Sequence, residues 1–162
     1  MKLSTRARYG LRALIDLGLY SREEAVSLQS IANRQNISFS YLEQLIAKLK
    51  KAGLVESTRG AQGGYRLGKP AEEISVGDVL RVLEGGLDAV ACTGDSQEGS
   101  CVGADACVTK AVWKRINDSI TAAVDSLMLS DLIEDSERCR DRLKSSGPKE
   151  EQVNCSDRYI IE

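Results

Sequence analysis

This sequence predicts a mainly α-helical fold: three short helices, a two-stranded hairpin, a connecting helix and one long helix. Three observations predict it. Apolar residues recur at helical spacing through the first 50 residues. The pattern changes to short extended pieces around a Gly-rich turn in "LVESTRGAQGGYRLGK", and a second helical stripe runs from residue 108 to residue 127. A chain of 162 residues suits one composite domain, since compact domains usually run to about 100–150 residues. With 42% hydrophobic and 28% charged residues it reads as globular rather than disordered.

The first helix is expected from about Ser4 to Tyr20, because Leu11, Leu14, Ile15 and Leu19 fall on one face and Ser4 can cap it. "SLQSIANRQNIS" gives a second, shorter helix with Leu28, Ile31 and Ala32 inward and Asn36 as its stop. The third carries Leu42, Leu45, Ile46 and Leu49 on its buried stripe and ends at Gly53. Ser40 and Glu43 have the spacing of a capping box at its start, while Gln44, Lys48 and Lys51 lie on the opposite face. The hairpin follows, with Arg59 at its bend. Pro70 breaks the chain, and a short helix opens at Ser75 and Asp78 and closes at Gly85 and Gly86.

The long helix, from Val108 to Leu127, repeats Val108, Val112, Ile116, Ile120 and Val124 every fourth residue. So regular a stripe needs a neighbour, and with little chain left to cover it a second copy of the helix is expected there. Trp113 is assigned to core or interface packing. A last helix starts at Ser130. The expected division is 1–70 reader, 71–91 connecting helix, 92–107 cysteine loop, 108–145 dimerisation helix and its successor, and 146–162 a disordered tail.

Charge is distributed unevenly. Residues 1–70 carry 12 Lys and Arg against 5 Asp and Glu, whereas residues 71–162 carry 10 against 19. The front half therefore suits an anionic partner. Three helices and a hairpin form the winged helix-turn-helix plan, whose recognition helix enters the DNA major groove with its N-terminal residues toward base edges. The candidates here are Ser38, Ser40, Tyr41, Glu43 and Gln44, with Lys48, Lys50 and Lys51 as phosphate contacts. Glu43 either caps the helix or accepts a hydrogen bond from cytosine N4. Arg59, beside Gly60, Gly63 and Gly64, suits a narrow minor groove.

The segment "CTGDSQEGSCVGADAC" sets Cys92, Cys101 and Cys107 in a run with little to bury. The first residues carry charge within their apolar pattern, so they do not read as a secretion signal, and no apolar run approaches membrane length. A reducing cytoplasm is the expected setting, where thiols point to metal or redox chemistry before structural disulfides. Thiolates select iron–sulfur clusters, zinc or copper(I), and Gly-rich chain lets several sulfurs converge. Neither spacing is the two-residue knuckle of structural zinc. A cluster, a metal-free thiol switch, zinc and inert thiols all stay open on the residues alone.

"MKLSTRARYGLRAL", "SYLEQLIAKLKKAGLVESTRGAQGGYRLG" and "ISVGDVLRVLEG" resemble the IscR-type family of bacterial iron–sulfur cluster regulators, with its cluster-free relative CymR, over residues 1 to about 130. The resemblance implies a dimeric winged-helix transcription factor on a roughly palindromic operator, with Ser38, Ser40, Tyr41, Glu43, Gln44, Arg59 and Gly60 as DNA contacts. It also implies an iron–sulfur cluster, 2Fe-2S before 4Fe-4S, on Cys92, Cys101 and Cys107. Two departures stand out: a longer first gap, and Lys110 where the family has a histidine ligand. An ammonium cannot coordinate iron. Asp95, Glu98, Asp105, Cys139, Cys155, the other subunit or a small ligand remain as fourth donors.

The expected function is a homodimeric transcription regulator that senses cluster status or redox and nitrosative stress. A cluster-free regulator controlled by thiol oxidation or a partner protein is the near alternative, and an electron carrier or cluster-delivery protein the distant one. With no histidine in the chain there is no Ser-His-Asp or Cys-His pair, nor is there a P-loop or dinucleotide fingerprint, so an enzyme is not expected.

Overall fold

The computed structural model describes residues 3–21, 24–60, 63–88, 90 and 107–145. Helix α1 spans Thr5–Tyr20, α2 Leu28–Gln35 and α3 Phe39–Lys51. Strands β1 (Val55–Thr58) and β2 (Gly64–Leu67) follow, then a 3-10 turn at Ala71–Glu73, α4 (Val76–Glu84), α5 (Lys110–Asp125) and α6 (Leu129–Ser145).

Ser4 caps α1 as expected, its Oγ accepting the Arg6 N–H at 3.1 Å. The Ser4 backbone N–H in turn donates to Glu84 Oε1 at 3.1 Å, and its hydroxyl donates to the same oxygen. The Ser4 hydroxyl first, then its N–H and the charge of Arg6, hold the Glu84 carboxyl below the usual carboxylate range. A carboxylate at the end of its own helix opposes that helix's dipole, so its place is explained by the positive end of α1. The end of α4 is thereby pinned to the start of α1.

The buried face of α1 is wider than the apolar spacing suggests. Ala13, Leu14 and Leu17 are fully buried, Leu11, Ile15 and Leu19 only partly so. Asp16 is buried with them at 1% exposure. Its carboxylate accepts from Arg34 Nε at 3.0 and 3.2 Å and from Gln35 Nε2 at 2.9 Å. Arg12 donates to the Gln35 side-chain and backbone oxygens at 3.0 and 2.8 Å. The last turn of α2 is therefore bolted to α1 by polar groups, which the periodicity of apolar residues does not reveal.

Ser27 caps α2, and Asn36 ends it in the left-handed region at φ 52°. Asparagine tolerates that conformation, and it redirects the chain into α3. Leu42, Leu45, Ile46 and Leu49 are buried as expected. The start of α3 is different. The helix begins at Phe39, with Ser38 extended at φ −62°, ψ 139° as the N-cap and its carbonyl accepting the Leu42 N–H at 3.0 Å. Ser40 therefore sits inside the helix, and the expected capping box with Glu43 does not form.

β1 and β2 pair antiparallel from Val55↔Leu67 to Thr58↔Gly64, and Val26 adds a bridge to Tyr65. Gly64 is required there, because a Cβ would lie 2.7 Å from the Val26 carbonyl oxygen. In α4 the Ser75–Asp78 capping box forms, and Gly85 closes the helix at φ 86°.

One core joins α1, α2 and α3 to Ile74, Val79 and Leu83 around α4 and to Leu129 and Ile133 of α6. A smaller cluster of Ala7, Val76, Leu80 and Leu87 takes in Val124 from the end of α5 and Leu127 just beyond it, and Arg81 binds Asp125 at 2.6 Å. Helix α5 starts at Lys110 rather than Val108 and stops at Asp125 rather than Leu127. Its second half is docked: Asn117, at its middle, is buried and donates to Asp88 Oδ1 at 3.3 Å, whereas the first half stands away from the core. Val108, Val112, Trp113 and Ile116 are exposed, so Trp113 is not a core residue. No described helix is long and apolar enough to cross a membrane.

Candidate nucleic-acid interface

The N-terminal end of α3 presents its polar residues to solvent. Ser38, Ser40, Glu43 and Gln44 are all exposed. Ser38 makes no side-chain cap bond, and Glu43 has no hydrogen bond or ion pair among the described residues. Loss of the expected capping box thus leaves the Glu43 carboxylate uncommitted. Tyr41 is half-buried, edge-on to Tyr9 with ring centroids 6.1 Å apart, and its hydroxyl lies 3.4 Å from Thr5 Oγ1. The ring is held from α1, which leaves it a smaller share in any contact than the serines beside it.

Lys48, Lys50 and Lys51 are arrayed along the rest of α3, and Lys48 and Lys51 make no ion pair among the described residues. Lys50 Nζ donates to Ser57 Oγ at 2.6 Å, joining the helix to β1. Arg59 is exposed just past β1, and Gly60 follows at φ 123°, a conformation that side chains rarely adopt. Lys48, Lys51 and Arg59 are all exposed, and the Lys50–Ser57 bond ties the C-terminal half of α3 to the strand that leads to Arg59.

Apolar spacing does not single out Phe39 as a surface residue. It precedes Leu42 by three residues and Ile46 by seven, the spacing of a core position, yet it is 44% exposed. The signal that identifies it is its place at the first turn, where no earlier turn exists to cover a ring.

Of the predicted metal ligands only Cys107 is described; Cys92 and Cys101 lie outside the described residues, as do Asp95, Glu98, Asp105 and Cys155. Cys107 is a free, exposed thiol three residues before the first residue of α5. Its side-chain partner is Thr109, whose Oγ1 lies 3.2 Å from the sulfur. That hydroxyl, then the backbone N–H groups of Thr109 and Lys110, lower the thiol's pKa. Lys110 is exposed at the head of α5, and Cys139, half-buried on α6, is not a free thiol.

Residues 3–135 match the Rrf2 family of iron-dependent transcriptional regulators. The chain belongs to the Rrf2 family. It is 44% identical to the HTH-type transcriptional regulator IscR of Photorhabdus laumondii over 137 residues, 85% of this chain and 82% of that protein. It is 43% identical to the IscR of Vibrio vulnificus, covering 85% and 80%. Among solved structures, T. potens IscR aligns with a TM-score of 0.68 at 45% identity over 86% of this chain and 90% of its own. CymR, the global cysteine regulator of B. subtilis, aligns with a TM-score of 0.68 at 42% identity over 83% and 97%. This Rrf2 protein is a DNA-binding transcription regulator with a winged-helix fold, and not an enzyme.

Proposed function

We propose that this Rrf2 protein is a cytoplasmic homodimer that reads an operator with α3 and the wing and whose operator affinity is set by an iron–sulfur cluster on Cys92, Cys101 and Cys107. The observation that carries the cysteine reading is Cys107: exposed, acidified by Thr109 and the start of α5, and three residues from the helix whose bare apolar stripe suits a second copy. A thiolate is the form that binds iron, so this donor fits the group. When bound, a 2Fe-2S cluster supplies a centre that responds to oxidants and nitric oxide. Lys110 cannot serve as its fourth ligand.

On the DNA, Glu43 accepts from cytosine N4, with Ser38, Ser40, Tyr41 and Gln44 around it. Lys48 and Lys51 hold phosphates, and Arg59 enters the minor groove where Gly60 lets the backbone come close. Pairing of two α5 helices sets the distance between the readers, which must match the half-site spacing. A constraint applied at Cys107 acts at the head of α5 and so on that distance.

Protein purified without oxygen and reconstituted with iron and sulfide is expected to contain both in stoichiometric amounts and to absorb in the visible. Cys107→Ala should lose this. A colourless, iron-free wild type would rule the cluster out. A cluster-free regulator controlled by thiol oxidation or by a partner protein then remains, and the exposure and lowered pKa of Cys107 favour the oxidation route. Separately, Ile116→Glu places a charge in the exposed stripe and is expected to yield a monomer by sedimentation; an unchanged dimer would move the interface elsewhere.

A further inference from the structure

Among the described residues, each large apolar side chain that the fold leaves exposed has an evident reason, except one. Tyr20 lies beneath the Arg34 and Arg140 guanidinium groups, at 4.1 and 5.1 Å from its ring centroid. Val108, Val112, Trp113 and Ile116 line the stripe of α5 and its approach. Leu3 lies beside the start of the described chain. Phe39 is 44% exposed with no aromatic or cationic partner among the described residues. It is the chain's one phenylalanine, and it lies in the middle of the polar reading surface, between Ser38 and Ser40 and one turn before Glu43.

Helix geometry gives its direction. Every Cα–Cβ bond in an α-helix tilts toward the N-terminus, and at the first helical position no earlier turn lies beneath the side chain. The ring therefore overhangs the end of α3 that leads into the major groove. The apolar feature on offer in that groove is the C5-methyl group of thymine, which phenylalanine is suited to contact. We infer that Phe39 is a specificity-determining residue that reads a thymine methyl beside the base pair contacted by Glu43. This rests on the assignment of α3 as the reading helix.

The test uses a duplex selected from random-sequence DNA by the full-length protein, with each thymine replaced singly by deoxyuridine so that only a methyl is removed. Wild type should lose about fourfold in affinity at one position per half-site, the effect of uncovering one methyl group. Phe39→Ala, which removes the contact in both half-sites of the proposed dimer, should bind the thymine duplex about sixteenfold more weakly and be indifferent to the replacement at that position, whereas Phe39→Leu should retain the sensitivity. Far-ultraviolet circular dichroism and a thermal melt matching wild type check that each variant keeps its helix content and fold. Wild type indifferent to every replacement, or Phe39→Ala still sensitive at the same position, would overturn the inference. A wild type that selects no duplex would instead overturn the reader assignment beneath it.

Discussion

Arg34→Ala is expected to lower the unfolding free energy by about 3 kcal/mol, the low end of the range for removing one partner of a buried ion pair. The loss arises mainly on the other side. Asp16 would stay at 1% exposure with its charge answered by Gln35 alone. Arg34 itself is 31% exposed, which keeps the effect from the top of the range, although its stacking on Tyr20 adds to it. Asp16→Ala combined with Arg34→Ala should recover part of the loss, because no buried charge then remains. Urea denaturation reads this as a lower midpoint at unchanged slope. The pair also fixes the last turn of α2 on α1, so the folded variant should present Ser38 less well and bind DNA more weakly. A single variant within about 0.5 kcal/mol of wild type, the range of an ordinary surface substitution, would show that this bolt is not what orients α2.

Operator affinity is expected to fall about a thousandfold between 50 and 200 mM salt, the behaviour of a protein that neutralises about six phosphates. In the proposed dimer, Lys48, Lys50 and Lys51 of the two copies of α3 would supply that number. Lys48→Ala should reduce the log-log slope by about 0.9 for each phosphate released and weaken all sequences alike. Glu43→Ala should leave the slope nearly unchanged and relax the choice of base at one position in each half-site. Titration by fluorescence anisotropy at several salt concentrations separates the two. A flat salt response would contradict the assignment of this surface to DNA.

Much of the fold is legible in the sequence because it rests on apolar spacing and on turn residues whose chemistry is local. Leu42, Leu45, Ile46 and Leu49 declare the buried face of α3, Asn36 and Gly85 mark helix ends, and the glycines flanking residues 61 and 62 mark the wing. Local pattern misleads where it competes with long-range contact. Ser40 and Glu43 have capping-box spacing, but Ser38 adopts the extended cap conformation first and starts the helix earlier. Asp16 looks like a solvent residue within an apolar helix until α2 brings Arg34 and Gln35 to it. Phe39 has core spacing but lies at a helix end with nothing behind it. The Ser4–Glu84 contact joins residues 80 apart, a distance that no periodicity reports.

The central claim is that sulfur ligation at the head of α5 governs how tightly the paired readers hold DNA. Its most direct test compares anaerobic wild type, with and without iron and sulfide, with the Cys92→Ala, Cys101→Ala, Cys107→Ala triple variant on one selected duplex. The account predicts at least about a fivefold change in wild-type affinity on loading, the lower end of typical coupling between sites, and one fixed affinity for the triple variant under both treatments. Equal affinity of loaded and unloaded wild type would contradict it.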